Sequence, residues 1–178
     1  MTLSGTYGPV DDENGARALL AAVDAGATFV DTADRYGLGH NERLVGRTLA
    51  HRRDEVVLAT KFGMHPFPGS PTRDIAVRMA FGELRVNNDP RLVRSYAERS
   101  LTALRTDRID LYYPHWPDPG IPIEDTVGAV AELVAAGLVR HLGLSNVSAD
   151  ELRAAHAVHP VSAVQVQWAM WHRPDPEL

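Results

Sequence analysis

The chain has 178 residues, 44% of them hydrophobic and 23% charged, with a formal net charge of −5 and no cysteine. That length is enough for a real hydrophobic core. An acidic balance with no basic block speaks against nucleic-acid or anionic-membrane partners, and the lack of cysteine excludes disulfides, thiol nucleophiles and zinc–thiolate sites. The opening Met1-Thr-Leu-Ser-Gly-Thr-Tyr7 has neither a basic n-region nor an apolar h-region, and no apolar run approaches membrane-helix length, so the expected location is cytoplasmic.

Taken in order, residues 1–10 carry Gly5, Gly8 and Pro9 and predict a loop. Asp11 to Ala25 predicts a helix, capped by Asp11 or Asp12, with Ala18, Leu19, Ala22 and Val23 at helical spacing and Gly26 at its C-terminal end. Thr28 to Val30 is a short strand ending in Asp31, and a loop with Tyr36, Gly37 and Gly39 follows. Asn41 to Ala50 predicts a helix with Leu44, Val45 and Leu49 inward, and Val56 to Thr60 a strand that delivers Lys61. Gly63 to Asn88 is proline-rich at first and predicts some helical character over Arg73 to Arg85. A loop of this length inside a compact domain is usually functional or mobile. Asp89-Pro90 opens a helix through Leu104, with proline at the first helical position.

The strand Ile109 to Tyr113 then leads to His115 and a rigid Trp116-Pro-Asp-Pro-Gly120 turn. Ile123 to Ala136 predicts a helix stopped by Gly137, and Val139 to Leu144 a strand followed by Ser145 and Asn146. Ser148-Ala-Asp-Glu151 reads as a capping box for a helix to about Ala157. Val161 to Val166 is a strand carrying Gln165, and Trp168 to Leu178 predicts a loop. Strands alternating with helices predict βαβ units on a parallel sheet. With no linker in sight, residues 1–178 are expected to form one domain, an α/β chain of about five βα units spaced like part of a (β/α)8 barrel. A doubly wound sheet would want a glycine-rich phosphate fingerprint after the first strand, and Gly37-Leu-Gly39 lacks the third glycine.

Polar chemistry gathers at the C-terminal ends of these strands, the face on which α/β barrels build active sites. Asp31, Tyr36, Lys61 and His115 form a candidate proton-transfer set. A phenol has an ordinary pKa near 10, and a neighbouring ammonium lowers it. Lys61 supplies that charge, Asp31 keeps Lys61 ionised and oriented, and His115 donates a hydrogen bond to a carbonyl while Tyr36 gives the proton. Met64, Phe67, Met79, Phe81, Trp116 and Trp171 are candidates for an apolar pocket wall. The eight histidines form no His-x3-His pair beside a carboxylate, so no metal site is expected.

Phe29-Val-Asp-Thr-Ala-Asp-Arg-Tyr-Gly37, Asn41-Glu-Arg-Leu-Val-Gly46, Ala59-Thr-Lys-Phe-Gly63, Arg108-Ile-Asp-Leu-Tyr-Tyr113 with His115, Pro122-Ile-Glu-Asp-Thr126, Gly143-Leu-Ser-Asn146 and Ala163-Val-Gln165 stand in this order along nearly the whole chain. Together they resemble the aldo-keto reductases. The resemblance implies a (β/α)8 barrel that reduces aldehydes and ketones to alcohols with NADP(H). It makes Asp31, Tyr36, Lys61 and His115 the catalytic tetrad, with Tyr36 the general acid, and Ser145, Asn146 and Gln165 contacts of the nicotinamide carboxamide. Trp168 stands where the family stacks a tyrosine on the nicotinamide. The family's first strand and last two βα units, which carry the cofactor's phosphate grip, have no counterpart here, which predicts weak NADP(H) binding. The partner is then a small carbonyl substrate. The alternative is a cofactor-independent lyase, isomerase or cyclase, or a binding protein that kept the tetrad. Five strands leave two sheet edges, and the Val161–Val166 edge has no lysine or internal proline to blunt it, so a homo-oligomer, most simply a dimer, is expected.

Overall fold

The computed structural model describes residues 3–4, 11–65, 75–79 and 82–178, with only the backbone described at 75–79 and 82–84. Helix α1 spans Asp12–Asp24, capped by the Asp11 carboxylate, which accepts from the Asn14 backbone N–H at 2.9 Å. Strand β1 is Phe29–Asp31, α2 His40–Leu49 and β2 Val57–Phe62. Strands β3 (Ile75–Met79) and β4 (Gly82–Val86) precede α3 (Pro90–Leu104), β5 (Ile109–Pro114), α4 (Ile123–Ala135), β6 (Val139–Ser145), α5 (Ala149–Val158) and β7 (Val161–Gln165). The expected caps are present: Asp89 with Pro90 opens α3, and the Ser148/Glu151 capping box opens α5.

The main sheet has five parallel strands in the order β1-β2-β5-β6-β7, with α-helices between successive strands. This is a parallel α/β half-barrel, as the alternation of elements predicts. One face of the sheet packs against the helices: Val30, Leu58, Phe62, Tyr112, Leu142 and Leu144 join Leu19, Val45, Val93, Leu104, Val127 and Leu133 in a single buried cluster. The concave face holds a smaller cluster of Ala59, Leu111 and Tyr113, with Ala163 beside it. Side chains alternate between the two faces along each strand, so the same parity that buries Ala59 and Leu111 inside the curve carries Asp31, Lys61, Ser145 and Gln165 to its C-terminal rim.

Residues 73–85 do not follow the helical expectation. Ile75–Met79 and Gly82–Val86 pair antiparallel, Ile75 opposite Val86 and Met79 opposite Gly82. Ile75-Ala-Val-Arg-Met79 and Glu83-Leu-Arg-Val86 alternate with period two and are rich in β-branched residues, and that period prevails over helix propensity once the two segments can pair. The expected loop over residues 1–10 falls outside the described residues except at Leu3 and Ser4.

Candidate active site

Lys61, the only lysine of the chain, stands one residue before the end of β2 with its side chain 1% exposed. Its ammonium donates to Asp31 Oδ2 at 2.6 Å and to the Thr32 carbonyl at 2.9 Å. Burial lowers the Lys61 pKa, and the Asp31 charge works against that fall. Across the concave face, Gln165 Nε2 donates to the same Asp31 oxygen at 3.2 Å. The two edge strands of the sheet therefore meet through their side chains at the rim.

Two tyrosine rings flank the ammonium, with centroids 5.4 Å (Tyr36) and 5.9 Å (Tyr113) from Lys61 Nζ. They differ in surroundings. Tyr113 is buried, and burial followed by the Asp31 charge pushes its phenol up to about 12. It lies so tightly on β6 that a Cβ at Gly143 would stand 2.2 Å from its Cε1. Tyr36 sits on the turn between β1 and α2, half-buried. That turn is held by Asp34 N–H donating to the Lys61 carbonyl at 3.0 Å, Gly39 N–H to the Asp34 carbonyl at 2.8 Å and Asn41 N–H to the Tyr36 carbonyl at 3.2 Å.

His115 follows β5 and meets the Tyr36 ring edge to face, centroids 5.8 Å apart. Burial, then the charges of Lys61 and Arg35, drive its pKa down to about 3, so the imidazole is neutral in ordinary buffers. Its backbone N–H donates to the Phe62 carbonyl at 3.0 Å, and its carbonyl accepts from Asn146 Nδ2 at 3.1 Å. Asn146 also donates to Ser145 Oγ at 2.9 Å, from a left-handed backbone with φ of 60°. The structure thus gathers Asp31, Tyr36, Lys61, His115, Ser145, Asn146 and Gln165 on one rim. Trp168, by contrast, is 81% exposed beyond β7.

The family profile described as "Aldo/keto reductase family" matches residues 1–178. The chain belongs to the aldo/keto reductase family. It is 42% identical over 175 residues to "Probable aldo-keto reductase 1" of Glycine max, covering 97% of this chain and 47% of that protein. It is 42% identical over 171 residues to "Aldo-keto reductase yakc [NADP(+)]" of Schizosaccharomyces pombe, covering 95% and 47%. Among solved structures it superposes on the glycerol dehydrogenase AKR11B4 from Gluconobacter oxydans with a TM-score of 0.78 at 33% identity, over 93% of this chain and 48% of that one. The chain thus spans about half the length of the aldo/keto reductases it matches.

Of the expected pocket wall, Met64 is buried, Trp116 half-buried and Trp171 83% exposed. Phe67, Phe81 and the Met79 side chain lie outside the described residues. Among the described residues no group of three or more His, Asp or Glu is placed to hold a metal ion, and no helix is long and apolar enough to cross a membrane.

Sequence reasoning missed the buried charges behind this aldo/keto reductase rim. Glu42 accepts from Thr60 Oγ1 at 2.7 Å, and Asp34 pairs with Arg99 at 3.2 Å. Burial raises the pKa of both carboxyls. The signal was present for Glu42, which stands three and seven residues before Val45 and Leu49 on the inward face of α2.

Proposed function

We propose that this chain carries the proton-transfer machinery of an aldo/keto reductase that reduces an aldehyde or ketone to an alcohol with NADP(H), Tyr36 being the general acid. The supporting observation is the placement of Lys61: its ammonium is shared with Asp31 at 2.6 Å and lies 5.4 Å from the Tyr36 ring, while the neutral His115 ring stands edge-on to that phenol. An ammonium beside a phenol favours the phenolate that remains after the proton has left, and Asp31 keeps that ammonium charged against the cost of burial. Tyr113 is a poor donor by comparison, because its phenol is pushed up to about 12. A neutral His115 has an N–H to offer a carbonyl oxygen without competing for the proton. Family membership favours this reading over a cofactor-independent enzyme or a binding protein.

The donor set at the rim fits the nicotinamide end of the cofactor. Ser145, Asn146 and Gln165 offer a hydroxyl and two amides, which match a carboxamide's donor and acceptor, and the exposed Trp168 indole has a face free to stack on an aromatic ring. When bound, NADPH supplies the hydride. Residues 166–178 offer one arginine, Arg173, and no lysine for the phosphates. Titration of the 178-residue chain with NADPH, followed by nicotinamide fluorescence, is expected to give a dissociation constant above about 1 μM, roughly −8 kcal/mol. Tighter binding would reveal a phosphate site elsewhere. The functional reading itself is tested by aldehyde-dependent NADPH oxidation at saturating cofactor, and no turnover above the Tyr36→Phe background would sink it.

We also propose that a second copy of the chain covers the sheet edges. Strands β1 and β7 are the outer strands, Phe29 and Val57 are exposed side by side on neighbouring strands, and an apolar groove of about 580 Å³ runs between α5 and β7 past Leu152, Ala157, Val161 and Val164. Unpaired edges beside apolar surface favour association. Sedimentation equilibrium is expected to give a dimer, and a stable monomer at millimolar concentration would contradict it.

A further inference from the structure

Arg99 sits on α3, on the helix side of the sheet, outside the set of residues gathered at the rim. Its Nη2 donates to the His65 carbonyl at 2.6 Å and to Asp34 Oδ2 at 3.2 Å, and its guanidinium lies 5.1 Å from the centre of the Tyr96 ring one turn earlier on the same helix. The two groups it joins belong to the two segments that carry the proton-transfer pair. Asp34 is two residues before Tyr36, and its side chain is 1% exposed. His65 is four residues after Lys61, on the segment that leaves β2. The segments already touch through Asp34 N–H and the Lys61 carbonyl at 3.0 Å.

We propose that Arg99 is a positioning residue for the Tyr36–Lys61 pair: from α3 it clamps the Asp34 carboxylate of the Tyr36 turn to the His65 carbonyl of the Lys61 segment. The proposal rests on the reading of Tyr36 as the proton donor. A planar, always-charged guanidinium suits the task, because it can hold a carboxylate and a carbonyl at once and stack on an aromatic face. The surrounding charge explains why a cation is needed there. Glu42 faces Asp34 from α2, while Lys61 and His65 face it from the end of β2 and Tyr112 from β5. Burial, then the Glu42 charge, push the Asp34 carboxyl up to about 7, and Arg99 opposes them. Without Arg99 the charge that opposes burial and Glu42 is gone, the Asp34 carboxylate is disfavoured further and the clamp opens, which lets the Tyr36 turn drift from the Lys61 ammonium.

The test is the titration of the Tyr36 phenol by carbon-13 NMR of the tyrosine-labelled chain. Tyr36 is one of five tyrosines, and its resonance is assigned by its loss in Tyr36→Phe. In Arg99→Met the phenol is expected to titrate about one pH unit higher, as an ammonium moves away from it. With an aldehyde substrate, kcat is expected to fall roughly 10- to 100-fold, with KM changing less. Arg99→Lys, which can reach one partner at a time, should recover part of both effects. Arg94→Met, at an exposed site on the same helix, should change neither. A folded Arg99→Met with an unshifted Tyr36 titration, or a shift of the same size in Arg94→Met, overturns the proposal. If Arg99→Met does not fold, Arg99→Lys and Asp34→Asn carry the same comparison. The phenol titration needs neither substrate nor cofactor, so a wild-type chain without reductase activity would refute the functional reading and still leave the clamp under test.

Discussion

Tyr36→Phe is expected to lower carbonyl reduction by about 10²–10⁴-fold, the usual loss when one positioned acid is removed. The substitution deletes a hydroxyl and leaves the ring. That ring keeps its edge-to-face contact with His115 at 5.8 Å and its place 5.4 Å from the Lys61 ammonium. Helix α2 and the turn that carries Tyr36 are held by backbone hydrogen bonds from Asp34, Gly39 and Asn41. The circular dichroism and melting temperature should therefore match those of the unsubstituted chain, so the lost rate reports the proton and not the fold. Initial rates with saturating aldehyde and NADPH measure it, and near-normal turnover would remove Tyr36 from its proposed role. The pH profile adds a second check. With His115 held down to about 3, no histidine inflection from this residue is expected between roughly pH 5 and 8, where an unperturbed imidazole would titrate.

Lys61→Met is expected to cost both activity and stability, the latter on the order of 3 kcal/mol, as when one partner of a buried ion pair is deleted. Methionine fills the hole left by the lysine stem, but it leaves Asp31 and the Thr32 carbonyl without the ammonium that now bonds them at 2.6 and 2.9 Å. Asp31 is 22% exposed and accepts from Gln165 as well, so solvent can repay part of the loss. The double variant Asp31→Asn/Lys61→Met should recover much of the stability and none of the activity. Urea denaturation of the two single variants and the double variant closes the cycle. No recovery in the double variant would mean that the pair does not act as a unit.

The sign of the pH effect follows from the direction of the Lys61 shift. Its folded pKa is depressed below the ordinary 10.5. Between the two values the unfolded chain holds the proton that the folded chain has released, so stability from this group rises with pH across that window. Lys61→Met should lose that slope.

Much of this architecture is legible in the sequence because its causes are local. Asp11, Pro90 and the Ser148/Glu151 box act within one turn of the helices they open, and Gly26 and Gly137 adopt the positive φ that ends α1 and α4. The short apolar runs that lead to Asp31, Lys61, His115, Ser145 and Gln165 belong to parallel strands, of which β2 and β5 are buried on both faces. Strands β3 and β4 depart from the helical expectation because that choice belongs to the strand opposite, which lies outside any one local window.

Other features depend on which residues, distant along the chain, come to lie together. Gln165 reaches Asp31 across 134 residues because the sheet curves, and no local pattern contains that curvature. Helical periodicity places Glu42 inward but cannot say that Asp34 and Arg99 will meet there, or that Glu42 will be buried near enough to feel both charges. Trp168 follows Gln165 by three positions, yet it is left exposed beyond the last strand. Local sequence determined the strand ends and the residue types carried there, because hydrogen bonds and side-chain parity within an element act over a few residues. Burial, ion pairing and the resulting shifts of Lys61, His115 and Asp34 were decided only in the tertiary structure, because the dielectric and the charges around a group are set by whichever elements pack against it.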